Sequence, residues 1–265
     1  MEQLFAEMMQ WKEPILILAL TTPRIMVAFM IIPFLNSETL PGLLRNGVVI
    51  CFALLLYPLV KPQLAGEELS SMMVIGLICK EVFLGLIIGY IVALLFWIIQ
   101  SIGFLIDTQR GATMAGSLVP LFGGQTSPLG VFLMQSVTVI FFVSGGIHIF
   151  LDGLYESYQT WPVLSFFPQL NIHGIKFFLK QFDLLMYFTI FLAGPVVLSM
   201  FIVELVMGLI GRFVPSLNVF FLAMPIKSAL ALFVLTLYIS LLMYYFTEQF
   251  RYIGTQFDTL EAILK

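Results

Sequence analysis

The chain has 265 residues, 60% of them hydrophobic and only 10% charged, with a mean hydropathy of +1.05 and a net charge of −3. A soluble domain carries charge on about a quarter of its residues, so this composition excludes an ordinary water-soluble enzyme and predicts an integral protein of a membrane or membrane complex. No basic block stands along the chain, which removes nucleic acid and an electrostatic anchor to anionic lipid from the expected partners.

The chain begins MEQLFAEMMQWKE, which lacks the basic start and small-residue cleavage site of a secretory signal, so the N-terminus is predicted to be retained. Two apolar runs follow, Pro14 to Leu20 and Ile25 to Phe34, separated by Thr-Thr-Pro-Arg. A helix needs about 20 apolar residues to cross the hydrocarbon layer. Any spanning helix here must therefore carry Pro23 and Arg24 near its middle. The run Val48 to Val60 is short for a span and contains Pro58. Such defective segments are expected to face protein or water, because a central Arg and a proline-interrupted backbone are both unfavourable against lipid.

Lys80 and Glu81 come next, as a neutralised interface or snorkelling pair at the head of an uncharged run, Val82 to Ile106, which predicts a full-length helix. Within it Gly85 and Gly89 form a small-residue motif suited to close helix contact, with Gly103 further along. Leu129 to Leu151 predicts a second full-length helix, on which His148 is expected to pack against a neighbour. The insert Asp152 to Asp183, rich in Tyr, Phe and Trp161, predicts an amphipathic segment near the membrane interface. Leu184 to Val203 and Ser228 to Thr247 complete the full-length helices. Between them, Leu205 to Gly211 and Phe213 to Ile226 are broken by Arg212, Pro215 and Pro225 and closed by Lys227. Cys51 and Cys79 predict buried small hydrophobes, since two isolated thiols make neither a disulfide framework nor a metal quartet. Loop Lys and Arg counts give six on the side of the termini (Lys12, Lys61, Lys176, Lys180, Arg251, Lys265) against four on the other (Arg45, Arg110, Arg212, Lys227), a bias too small to orient the chain.

The most unusual stretch is DTQRGATMAGSLVPLFGGQTSPLG, Asp107 to Gly130. Asp107 and Arg110 are spaced to pair on one helical face, and Gly111 suits a helix terminus. Beyond it Gly116, Gly123 and Gly124 alternate with the bulkier Met114, Leu118, Leu121 and Phe122, a composition for irregular backbone. At membrane depth such backbone persists only where it is buried in protein or lines a cavity. Composition leaves two readings open: a loop at or in a pore, and a surface connection between helices.

No nucleophile elbow, phosphate-binding loop or metal-ligand spacing surrounds His148 or His173, so catalysis is not expected, and no cofactor or metal is. The rival to a complex subunit is a stand-alone secondary transporter or channel with discontinuous helices, for which Arg24, Glu204 and Arg212 are the candidate site residues.

The runs IDTQRGA (Ile106 to Ala112), GGQTSPLG (Gly123 to Gly130) and GGIHIFLDGLYESYQTWPV (Gly145 to Val163), in that order, resemble the SctT family, export-apparatus proteins of type III secretion injectisomes related to flagellar FliR. The resemblance covers nearly the whole chain. The stretch from Pro195 through FLAMPIKSALALFVL is in turn similar to the two-helix SctS and FliQ subunits, with Pro225, Ile226 and Lys227 matching their hairpin turn. The implied fold is all-α, a polytopic membrane-complex protein of long, broken helices, with an SctR-like part over 1–183 and an SctS-like hairpin and tail over 184–265. The resemblance implies one subunit of an export gate in the bacterial inner membrane, within the secretion-system basal body, much of the complex sitting above the bilayer plane. The implied partners are SctR-like and SctS-like chains, the large export-gate subunit, and unfolded polypeptides in transit. It makes the stretch at about 107–130 the pore plug, formed by Gly111, Met114, Gly116, Leu118, Leu121, Phe122, Gly123 and Gly124. Asp107 and Arg110 anchor its base, and Pro225 and Lys227 mark the hairpin turn near the channel entrance.

Overall fold

A computed structural model describes residues 2–35, 41–64, 70–112, 127–165, 172–214 and 218–264. The described residues are helical, without a strand. In chain order they form α1 (Glu2–Ile31), a short 3-10 turn (Pro33–Leu35), α2 (Gly42–Leu55), α3 (Tyr57–Leu64), α4 (Ser71–Gln109), α5 (Pro128–Val143), α6 (Gly146–Thr160), α7 (Ile172–Phe213) and α8 (Val219–Leu264). Helices within α1, α4, α7 and α8 are long and apolar enough to cross a membrane, and the bent pairs α2 with α3 (60°) and α5 with α6 (72°) each qualify as one broken span. The chain is a membrane protein.

Two compact units interleave along the sequence. One comprises Met1–Leu94, Gly145–Leu179 and Tyr252–Lys265; the other comprises Leu95–Ser144 and Lys180–Arg251.

In the first unit α1 continues through Pro14 and Pro23. A proline withdraws one N–H from a helix, and hydroxyls add bonds around this one. Thr21 Oγ1 donates to the Ile17 carbonyl at 2.9 Å, Thr22 Oγ1 to that of Leu18 at 2.5 Å, and the Tyr158 hydroxyl of α6 to that of Thr21 at 2.7 Å. The predicted glycine motif is used here. A Cβ on Gly89 would lie 2.9 Å from Ala28 Cα, and one on Gly85 would run into the Arg24 carbonyl oxygen, so α4 meets α1 backbone to backbone. Phe29 joins this contact to α2 and α6, its ring 5.9 Å from those of Phe52 and Phe150.

In the second unit Phe96, Phe141 and Phe250, all fully or almost fully buried, form a ring cluster with centroids 5.0 to 5.7 Å apart. Gly103 lies against the backbone of Gly130, with no room for a side chain.

Four expectations are corrected. The run Leu129 to Leu151 is not one helix: Gly145 takes φ +80, a left-handed conformation open to glycine, and the chain turns by 72° there. The insert Asp152 to Asp183 is not one segment: its first part completes α6 at Thr160 and its last part opens α7 at Ile172. His148 is exposed, because the inward stripe of α6 runs through Gly146, Phe150, Gly153 and Leu154. Cys51 and Cys79 are exposed as well. On α2 the buried stripe is Arg45, Val49 and Ala53, and on α4 it includes Leu77, Lys80, Glu81 and Leu84, so each thiol falls on the opposite face.

Candidate functional site

The end of α4 and the start of α5 bracket the Gly-rich segment, and one carboxylate joins them. Asp107, with a side chain fully out of solvent, lies in the last turn of α4. Its Oδ1 accepts from Arg110 Nε at 2.7 Å and Nη2 at 2.6 Å. Its Oδ2 accepts from Ser127 Oγ at 2.7 Å and from the Leu129 backbone N–H at 3.0 Å. Ser127 is itself the N-cap of α5 and accepts from the Gly130 N–H at 2.9 Å, with Pro128 at the first helical position. Charge-assisted bonds of this kind are the stronger ones, and four converge on one buried carboxylate. Arg110 before residues 113–126, and Ser127 and Leu129 after them, are thereby tied at a single side chain.

Gly111 follows with φ +81, so α4 ends where the spacing predicts. Arg110 also reaches Ser228 of α8 at 3.4 Å, and on the same side Lys227 of α8 pairs with Glu204 of α7 at 3.1 Å. Arg110, Gly111, Glu204, Met224 and Lys227 line a cleft of about 300 Å³. Of the residues expected to form the plug, Gly111 is therefore placed, while Met114, Gly116, Leu118, Leu121, Phe122, Gly123 and Gly124 lie outside the described residues. Pro225 and Lys227 lie inside α8, beyond its first turn.

A second polar cluster is buried in the first unit. Arg24 and Glu81 have no exposed side-chain surface. The guanidinium donates from Nε to Glu81 Oε2 at 2.6 Å and from Nη2 to Oε1 at 2.9 Å. It also donates from Nη1 to Ser157 Oγ at 3.0 Å and from Nη2 to the Trp161 carbonyl at 3.1 Å, and it lies 3.9 Å over the Tyr158 ring. Lys80 Nζ stands 2.9 Å from Glu81 Oε1 and donates to the carbonyls of Pro162, Val163 and Ser165 at 3.0, 2.7 and 3.1 Å. Lys80 thus secures the strap after α6, and Gln63 of α3 accepts from the Val163 N–H at 3.2 Å. Four hydrogen bonds and the Tyr158 ring occupy the Arg24 guanidinium, so the cluster is read as a structural network. Two of the transporter candidates are hence committed elsewhere: Arg24 to Glu81, and Glu204 to Lys227. Arg212, the third, is exposed.

Sequence reasoning had Asp107 and Arg110 but missed Ser127, Ser228 and the Glu204 partner of Lys227. The Ser-Pro pair at 127–128 was the available signal for the cap. Among the described residues no group of three or more His, Cys, Asp or Glu side chains could hold a metal ion.

A sequence model of the family described as bacterial export proteins, family 1, matches residues 15–253. The chain is 44% identical over 230 residues to the Yop proteins translocation protein T of Yersinia pestis, covering 86% of this chain and 87% of that one. It is 36% identical over 239 residues to the secretion system apparatus protein SsaT of Salmonella typhimurium, covering 87% and 89%. With the flagellar biosynthetic protein FliR of Bacillus subtilis it shares 30% identity over 225 residues, 83% of this chain and 84% of that one.

Proposed function

The chain belongs to the bacterial export proteins, family 1, and from that premise we propose that it is one subunit of a type III secretion export gate, forming part of the conduit through which unfolded proteins cross the bacterial inner membrane. Similarity to the Yop translocation and SsaT proteins, at higher identity than to the flagellar relative, supports the injectisome reading. In it the chain performs no chemistry. Residues 1–183 take the place of an SctR-like subunit and residues 184–265 that of an SctS-like hairpin. The chain assembles with SctR-like and SctS-like chains and with the large export-gate subunit, in the basal body. A proline-bearing helix with a buried charge, such as α1 with Arg24, suits a chain whose neighbours are proteins.

Within this reading the Gly-rich segment from Gly111 to Gly124 plugs the closed channel, and Asp107 with Arg110 anchors it. The observation that carries the proposal is the tie from Asp107 to Ser127 and Leu129, which joins the end of α4 before the Gly-rich sequence to the cap of α5 after it. A gate must stop small solutes yet yield to a polypeptide, and a Gly-rich sequence between two joined helix ends suits both demands. In the same reading Lys227 lies near the substrate entrance. Deleting part of Gly111 to Gly124 in the assembled complex is expected to make membranes leak small ions, measured as conductance in planar bilayers. Unchanged conductance in an assembled deletion complex refutes the plug.

A further inference from the structure

Arg45 stands apart from the other buried arginine. Arg24 donates four hydrogen bonds and pairs with Glu81, whereas Arg45, with only 7% of its surface exposed, keeps Nε and Nη1 out of solvent and without a hydrogen-bond partner. A guanidinium removed from water without a counter-charge is strongly unfavourable, so Arg45 calls for an anionic partner that the described residues do not supply.

The rest of that turn points the same way. Pro41 at the N-cap supplies no side-chain acceptor, no acidic residue stands in the first turn, and the N–H groups of Gly42, Leu43 and Leu44 begin a 14-residue helix. A helix N-terminus favours an anion through these free N–H groups and the aligned peptide dipoles. Helical side chains lean towards the N-terminus, which carries the Arg45 head over the same turn. There is room beside it: a Cβ on Gly42 or Gly47 would meet no atom within 4 Å.

The surroundings select the kind of anion. Leu43 and Leu44 are 88% and 59% exposed, and Val48, Ile50 and Leu54 continue the open apolar face along α2. The bent pair α2 and α3 is long and apolar enough to form one broken span. The end of a span meets the headgroup layer, and Gly42 begins this one. We propose that the N-terminal turn of α2 is a phospholipid site. In it Arg45 and the N–H groups of Gly42, Leu43 and Leu44 receive the phosphodiester, and Leu43 and Leu44 lie against the acyl chains. The inference needs the chain to be a membrane protein and does not rest on the export reading.

The test uses the full-length chain purified in detergent in its native assembly, with bound lipid counted by native mass spectrometry during titration with phosphatidylglycerol. Diacylglycerol of the same chain length and inorganic phosphate serve as probes lacking one half of the ligand. Wild type is expected to retain phosphatidylglycerol about tenfold or more tightly than R45Q, the effect of losing a hydrogen-bonded charge, and to retain neither control comparably. If R45Q is not recovered, R45K carries the test: the ammonium keeps the charge but loses the planar fork, so about threefold weaker retention is expected. Equal retention by wild type and the recovered variant overturns the proposal. So does saturation by inorganic phosphate alone, which makes the occupant an adventitious ion only. If R45Q retains lipid normally but loses a co-purifying chain, a partner carboxylate is the counter-charge and the lipid site is refuted. If E38Q reproduces the effect of R45Q, the counter-charge belongs to this chain and the proposal falls equally.

Discussion

Replacing Glu81 by Gln is the most demanding test of the charge network on which the first unit is built. Gln preserves the side-chain volume and one acceptor, but it leaves two cations beside a neutral group: Arg24, fully buried, and Lys80, 7% exposed. Breaking a buried ion pair from one side costs about 3–5 kcal/mol, because the remaining charge stays desolvated. The residual bonds from Arg24 to Ser157 and Trp161, and from Lys80 to three carbonyls, place the expected loss near the lower end, about 3 kcal/mol. At about 2–4 °C per kcal/mol, the complex is expected to melt on the order of 10 °C lower, followed by size-exclusion chromatography after heating in detergent. R24M/E81Q removes the arginine charge together with its partner and is expected to recover at least half of that loss, since an uncharged pair of similar size carries no stranded guanidinium. A melting point for E81Q within 2 °C of wild type, or a double variant with additive losses, refutes the claim that the network acts as a neutralised unit.

The remaining predictions concern single contacts. Asp107→Ala removes the acceptor shared by Arg110, Ser127 and Leu129 and is expected to cost about 2–3 kcal/mol, with a raised ion leak through assembled complexes in planar bilayers; a tight complex of normal stability contradicts the tie. Gly85→Val places a side chain against the Arg24 backbone and is expected to abolish recovery of the complex, whereas Gly194→Ala, at a position where a Cβ meets nothing within 4 Å, changes its melting by less than 0.5 kcal/mol equivalents, about the limit for an uncoupled site. Lys227→Glu opposes Glu204, which is half exposed, so stability changes by less than about 1 kcal/mol while secretion of a reporter substrate falls. Restoration of secretion by E204K/K227E is the expected outcome, and undiminished secretion by K227E removes Lys227 from the entrance.

What could be read from the sequence was what repeats or sits close along the chain. Gly85 and Gly89 announced a close helix approach because their spacing of four places both on one face. Asp107 and Arg110 were legible as neighbours three apart, and Gly111 as the residue that ends their helix. The turn at Gly145 was not, because the apolar run continues across it and hydropathy carries no information about φ; the Gly-Gly pair itself was the cue. Exposure of Cys51, Cys79 and His148 was hidden for a related reason. In a helix apolar on every side, composition does not separate the face that meets protein from the face that meets lipid. The pairing of Arg24 with Glu81 spans 57 positions, and no local pattern predicts which distant carboxylate a buried arginine will find.

Among the described residues the two fully buried carboxylates in ion pairs, Glu81 and Asp107, lie on α4; one receives a group beside a proline inside α1, the other groups at the start of α5. Glu81 holds Arg24, the residue after the proline of α1. Asp107 holds Ser127, the cap that opens α5, and with it the start of a new helix. In an apolar medium the polar groups freed at a break have no water to turn to, so a carboxylate at that depth has more donors to satisfy than in a soluble protein and less competition for them. The two acids therefore do different work through one principle. Glu81 holds the proline-bearing stretch of α1 within the first unit, where its loss should lower stability. Asp107 joins the end of α4 to the cap of α5, and on the proposed plug reading its loss should be felt first as leakage. A network variant that leaked without loosening, or an Asp107 variant that loosened without leaking, would reverse that assignment of roles.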